Sequence, residues 1–352
     1  MPKRNGKTFE KSVNLALQGG GAHGAFTWGV LDRLLEDGRI YIEAISGTSA
    51  GAMNAVAVAD GLMRDGEDGA RQVLHDFWQA VSDVGRMSPI QRNVIDVFMG
   101  NWSLDNNPSY MFFDLLNRVT SPYDLNPMNF NPLRGILEST IDFDRVAVCD
   151  KMQVFLSATN VETGRVRVFN RAEINADVVL ASACLPFMFH AVEIDGTPYW
   201  DGGYMGNPVL FPFYRTSDSD DIVIVQINPV VRKGTPRSAR EILDRVNEIT
   251  FNSSLLKELR AIDFVHRLLE DEALDSQAYR NPLVHIIECH ENLKNLGASS
   301  KLNAEWSFLR HLFEIGRGAA DEWIDRNYSR LGVASTVDIR AMFQGIGADH
   351  QG

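Results

Sequence analysis

The chain reads as an α/β protein: a mostly parallel central sheet flanked by helices in three α/β/α layers, followed by a helical C-terminal extension. Three observations predict this. Short apolar runs that end in glycine alternate with segments of helical periodicity near the start. Two further apolar runs flank a Glu162-Thr163-Gly164 turn, as in a hairpin. A long amphipathic pattern follows Pro236.

Taken in order, residues 13–17 are an apolar run that ends in Gln18 and three glycines, which predicts a buried strand entering a tight loop. Phe26, Val30, Leu31, Leu34 and Leu35 then recur at helical spacing up to Asp37, and Gly38 supplies a C-terminal stop. Residues 40–45 predict a second strand, 47–51 a turn, 50–63 a helix of small residues and 73–84 another helix. The character changes over 85–141, where prolines, asparagines and an aromatic cluster predict an insertion on the core sheet; Asn131-Pro132 is a helix start there, Asn as cap and Pro as first residue. Strands are expected at 154–160, 166–169, 221–227 and 283–288, with a return strand at Tyr199-Trp200 after a turn at Gly196. Leu243, Val246, Leu255, Leu259, Ile262 and Leu269 form one stripe of a helix over 239–273; a last helix is expected at 305–327 and frayed residues from 345 on. The organisation expected is a catalytic unit over 12–235, with 85–141 as a cap, and a mainly helical extension over 236–345 packed on the same domain.

Composition narrows the function. The 352 residues carry 34 Lys+Arg against 46 Asp+Glu, a formal net charge of −12. Such an acidic chain is a poor non-specific ligand for nucleic acid or anionic membranes, so no nucleic-acid partner is expected and lipid contact must come from a local apolar patch. Cys149, Cys184 and Cys289 are odd in number and widely spaced, which argues against a disulfide framework or structural zinc and fits a reducing compartment. The run VNLAL is too short for a secretory leader and no spanning helix is expected, so the expected location is cytoplasmic, with peripheral membrane contact.

Three motifs carry chemistry. Gly47-Thr48-Ser49-Ala50-Gly51 lies between a predicted strand and helix, the context of a nucleophile elbow: flanking glycines leave room for a sharp turn, and the serine sits at a helix N-terminus. The bland alternative is a Gly/Ser helix entry. Gly19-Gly20-Gly21-Ala22-His23-Gly24 sits in the same context and admits two readings. One is a dinucleotide fingerprint, for which Glu43 would be the acidic partner, although it falls inside a strand. The other is an oxyanion hole of backbone N–H groups. Asp201-Gly202-Gly203 follows the second hairpin, and read alone its aspartate is an ordinary turn residue.

In this order the three motifs resemble the patatin-like phospholipase family, as does the stretch Ala181-Ser182-Ala183-Cys184-Leu185-Pro186; the resemblance covers residues 12–208. It implies the patatin-like three-layer fold and a serine lipid acyl hydrolase of phospholipase A, lysophospholipase or esterase type. Ser49 would be the nucleophile, Asp201 its base and Gly19, Gly20 and Gly21 the oxyanion hole, most directly Gly20 and Gly21. Gly24, Gly47, Gly51, Gly202 and Gly203 would support the motifs. No cofactor and no metal is expected; the partner is a lipid or acyl-ester substrate. Acyl transfer on the same dyad and a non-catalytic scaffold of the same fold are the alternatives. The family carries Arg or Lys where this chain has His23, which either meets the substrate as a smaller, neutral group or packs under the first helix. Trp102, Tyr110, Phe112 and Phe113 are candidates for acyl-chain contact or a cap. His266, His285, His290 and His311 are expected to be structural, since a conventional triad places its histidine in a turn after the acid; His190 precedes Asp201 and is expected in the core or the pocket wall.

Overall fold

The computed structural model describes residues 3–4, 7–275, 279–289 and 296–344. Among them runs a mixed eight-stranded sheet of β1 (Lys11–Leu17), β2 (Ile40–Gly47), β3 (Gln153–Asn160), β4 (Val166–Asn170), β5 (Val192–Ile194), β6 (Thr197–Asp201), β7 (Asp221–Val225) and β8 (Leu283–Ile287). The order is β8-β7-β1-β2-β3-β6-β5, with β4 also on β3. The first five strands of that order are parallel to their neighbours; β4, β5 and β6 pair antiparallel. The edge strand β8 comes from the region after Pro236, so that region builds part of the sheet as well as covering it.

Alternation along the strands makes the layers. Leu15, Leu17, Val223 and Val225 point into one core, covered by α1 (Gly24–Asp37), α2 (Ala50–Gly85) and a C-terminal helix. Ala16, Ile222, Ile224, Val284 and Ile286 point to the other face, against Leu255, Leu259 and Ile262 of the long helix Ala239–Glu270. Gly38 ends α1 in the left-handed conformation, φ 65°, with its N–H on Leu34 O.

The helices expected at 50–63 and 73–84 lie in one run, α2, broken at Asp65 and Gly66, where φ is −151° and 63°. Residues 108–119 and 132–140 of the proline-rich stretch fold as α3 (Pro108–Val119) and α4 (Pro132–Thr140), each with Pro in its first turn and an Asn cap, Asn107 accepting from Tyr110 N and Asn131 from Leu133 N. Three more helices follow: α5 (Ala176–Ser182), α6, the long helix Ala239–Glu270, and α7 (Trp306–Asn327), the C-terminal helix named above. One expected stripe is corrected: Leu255, Leu259 and Ile262 of α6 are buried, but Leu243 and Val246 are exposed together with Ile242 and Ile249, so the apolar face is covered only along the later part of the helix. His290 and residues 345–352 lie outside the described residues.

Candidate active site

The topology itself brings the acid to the serine. Residues 155–156 of β3 pair with β2 on one edge and β4 on the other, and residues 158–159 pair with β6 and β4. Thus β6 continues the line of β2 along the same edge of β3. Gly47 is opposite Leu156 and Asp201 opposite Ala158, two residues further on. The chain leaving β2 therefore turns next to the chain end of β6, and Ser49 meets Asp201.

Ser49 sits on a strained turn, φ 54° and ψ −120°, immediately before α2. A non-glycine residue with positive φ costs free energy and persists because its surroundings fix it. Here the Ser49 N–H donates to Ser182 Oγ at 2.9 Å, at the end of α5. Thr48 Oγ1 donates to Gly206 O at 2.7 Å and lies 2.6 Å from Ser157 Oγ. The tight packing explains the small residues of the motif: a Cβ on Gly51 would lie 2.3 Å from Leu17 O, and one on Gly47 would lie 2.5 Å from Gly51 O.

The glycine loop is packed directly on this elbow. A Cβ on Gly19 would stand 2.7 Å from Ser49 Cβ, and one on Gly24 would stand 2.6 Å from Ala50 Cβ. Gly21 has φ 59°, and a Cβ there would also meet Lys301 O at 2.4 Å, so both conformation and space call for glycine. The N–H of Gly19 is taken by Asn207 Oδ1 at 2.7 Å. That removes Gly19 from the expected oxyanion donors and leaves it the role of close approach. Among the described residues no protein acceptor takes the N–H groups of Gly20 and Gly21, which open the short 3-10 turn Gly21–His23.

Asp201 is 1% exposed. Its Oδ1 accepts from Gly203 N at 2.7 Å, its own N–H donates to Cys184 O at 2.8 Å, and Oδ2 is buried without a hydrogen-bond partner. Burial pushes its pKa up to about 7, opposed by the Gly203 N–H, by the Ser49 hydroxyl and by the charge of Lys301. The Ser49 hydroxyl thus stands next to the carboxyl, while Oδ2 makes no hydrogen bond. Gly202 and Gly203 are hemmed in by Ser157 O, 2.2 Å from a Cβ on the first, and the Phe251 ring of α6, 2.2 Å from a Cβ on the second.

A buried amide network holds the loop, and sequence reasoning missed it. Gln18 Oε1 accepts from Ile227 N at 3.0 Å and Asn228 N at 2.9 Å, Asn228 Nδ2 donates to Gly19 O at 2.7 Å, and Asn207 N donates to Ser254 Oγ at 3.0 Å. The available signal was two Asn-Pro pairs, Asn207-Pro208 and Asn228-Pro229, uncharged amides placed at the ends of apolar runs.

His23 is buried, with Nε2 2.8 Å from Ser300 Oγ and its ring edge-on to Phe308. Burial, helped by Lys301, lowers its pKa to about 3, so the imidazole is neutral. The remaining histidines of the described chain lie elsewhere: His75 packs edge-on to Trp28, His190 stacks on Tyr123, His266 meets Pro282 O, His285 pairs with Asp221, and His311 stacks on Trp102. Glu43 accepts from the backbone N–H groups of Asp218 and Ser219, so the carboxylate wanted by the dinucleotide reading is already committed. Among the described residues there is no group of three or more His, Cys, Asp or Glu placed to hold a metal ion, and no helix is long and apolar enough to cross a membrane.

The aromatic candidates separate. Trp102 packs between Phe308, His311 and the Arg92 guanidinium, and Tyr110 is buried. Phe112 and Phe113 line an open groove of about 480 Å³ with Pro89, Ile90, Pro108 and Ser109.

A glycine turn, a strained serine and a buried acid thus converge at the carboxyl ends of parallel strands, the end at which α/β sheets hold their ligands. Residues 15–214 match the family described as Patatin-like phospholipase, and the chain belongs to that family. No curated protein sequence matches it significantly. Among solved structures it is similar to VipD from Legionella pneumophila, at 15% identity and TM-score 0.42, the match covering 90% of this chain and 67% of that one. It is also similar to the type III effector protein ExoU, at 14% identity and TM-score 0.34, covering 91% of this chain and 54% of that one. A structure of full-length ExoU with SpcU from Pseudomonas aeruginosa gives 15% identity, TM-score 0.29 and coverage of 90% and 53%. The chain therefore spans about half the length of ExoU.

Proposed function

We propose that the protein is a serine lipid acyl hydrolase working through a Ser49–Asp201 dyad. The observation that carries this is the unpartnered, buried Oδ2 of Asp201 beside a hydroxyl held on a strained elbow. Ionised Asp201 takes the Ser49 proton as Oγ attacks the ester carbonyl carbon. The Gly20 and Gly21 N–H groups hold the oxyanion. When the tetrahedral adduct collapses, the leaving alcohol takes the proton from Asp201 and the acyl group stays on Ser49. Water then attacks, giving its proton to Asp201, and Ser49 leaves with that proton restored. An acceptor alcohol in place of water would make the same adduct an acyl transfer.

A fluorophosphonate probe tests the reading, because it labels an activated serine and not an ordinary hydroxyl. The wild-type chain should be labelled at Ser49 and the folded Ser49→Ala protein should not. Labelling that persists at the same rate in Ser49→Ala would refute the assignment.

Acyl-chain and lipid-surface contact belongs to the stretch around α3. Phe98, Met99, Met111, Phe112, Met128 and Phe130 are all exposed along this stretch of chain, which supports it as an apolar contact face. Phe112→Ser combined with Met111→Ser should raise KM for long-chain esters by about tenfold, more than for short ones. Equal changes for both chain lengths, measured in the same steady-state assay, would remove these residues from acyl binding.

A further inference from the structure

Lys301 comes from the region beyond the family match, yet it stands at the glycine turn. Its carbonyl fills the space a Cβ on Gly21 would need, and its Nζ donates to Asn228 Oδ1 at 2.9 Å. The same Asn228 holds Gly19 O through Nδ2 at 2.7 Å. The neighbouring Ser300 holds His23, and Ser299 Oγ accepts from Leu104 N at 3.2 Å. The turn Ala298–Leu302 is therefore clamped between the glycine loop and the helical insertion. Within this clamp a primary amine is carried into a buried polar cluster where a purely structural residue would need no charge.

We infer that Lys301 is a positioning residue of this site: held through Asn228 against the glycine turn, its ammonium sets a positive charge beside the Gly20 and Gly21 N–H groups and Asp201. The inference rests on the Ser49–Asp201 reading. The charge has two effects there. It favours the oxyanion that forms on the carbonyl oxygen, and it favours the ionised form of Asp201. Asp201 faces Ser49, Cys184, Tyr204 and Lys301; of these Lys301 is the cation. Lys301 in turn faces Glu248, Asp244 and Asp201, which favour its charge, and Arg232 and His23. Burial brings the Lys301 pKa below the usual lysine range, and those three carboxylates oppose the shift.

The test compares wild type with Lys301→Met, Lys301→Gln and Lys301→Arg on a short, uncharged p-nitrophenyl ester, from about pH 5 to about pH 9, with fluorophosphonate labelling in parallel. The wild-type rate should rise with pH through about 7, as Asp201 ionises. Without the neighbouring cation Asp201 holds its proton to higher pH. The acid limb of Lys301→Met and Lys301→Gln should move up by about half a pH unit or more, and kcat on the plateau should fall about tenfold. Lys301→Arg should restore the limb. Gln keeps an N–H for Asn228, so it separates charge from hydrogen bonding and stands in if Met disturbs folding. A purely structural lysine would lower melting temperature and kcat without moving the limb. A labelled wild type whose Met and Gln variants keep their acid limbs in place overturns the inference alone; an unlabelled wild type overturns the Ser49 reading and the inference with it.

Discussion

Asp201→Asn should abolish ester hydrolysis, by about 10³–10⁴-fold in kcat, while raising the melting temperature at pH 8. The two effects share one cause. The carboxyl is 1% exposed and burial lifts its pKa to about 7. The folded value lies above the unfolded one, so between the ordinary carboxylate range and about 7 the unfolded chain releases a proton that the folded chain keeps. Stability then falls as pH rises through that window, and above it the cost of an ionised, buried acid is present in full. Asparagine removes that cost. Its Oδ1 still accepts from the Gly203 N–H, and its amide is close in shape to the carboxyl it replaces. The gain should be on the order of a few kcal/mol at most at pH 8 and vanish toward about pH 4. Loss of base strength explains the rate, since an amide cannot take the Ser49 proton. Thermal melts at the two pH values, beside the kinetics, check both halves. A variant that hydrolyses esters at near wild-type rate would end the dyad; one less stable than wild type at pH 8 would show that the buried carboxyl is stabilised by contacts absent from this geometry.

Much of the fold around this acid is legible in the sequence, and part of it is not. The order of strands and helices was legible because period and punctuation agree: apolar runs ending in Gln18 or Gly47, helical spacing from Phe26 to Leu35, Gly38 as a stop, Asn-Pro pairs as starts. Ser49 and Asp201 were legible as motif residues, but the register that joins them was not. It depends on β6 lying end to end with β2 on one edge of β3, two segments some 150 positions apart in the chain that meet only through β3. The roles of Gln18, Asn207, Asn228 and Lys301 were hidden for a related reason, although an Asn-Pro pair marks two of the positions. Each is a single polar residue whose meaning comes from partners far away, and no period or spacing marks it. The break in α2 was expected as a gap between two helices; what was hidden is how short it is, because after Asp65-Gly66 the helix resumes at once, well before Val73. The exposed half of α6 misled because periodicity reports an apolar face, not whether anything covers it.

The largest effect on stability is expected where the C-terminal helix crosses the first one. A Cβ on Gly316 of α7 would lie 2.1 Å from Phe26 O, and one on Gly29 of α1 would lie 2.0 Å from Phe313 O. Both obstacles are backbone, so neither can swing aside, and the helices must part to admit a single methyl group. Trp28 and Phe313, with ring centroids 4.2 Å apart, and the ion pairs of Arg317 with Asp32 and Glu36 are then strained or lost together. Gly316→Ala should cost about 3 kcal/mol or more. Gly318, two residues along the same helix, is the control: nothing lies within 4 Å of a Cβ there, so Gly318→Ala should be neutral or stabilise by roughly 0.5–1 kcal/mol through helix propensity. Three residues separate Leu302, the end of the turn that carries Lys301, from Trp306, the start of α7. Displacing that helix therefore loosens the contact between Lys301 and Gly21, and activity per folded molecule should fall with Gly316→Ala but not with Gly318→Ala. Denaturant titrations and active-site labelling of both variants decide it. Equal midpoints for the two substitutions would mean that the crossing is not close, and that the glycine turn is held without help from the C-terminal helix.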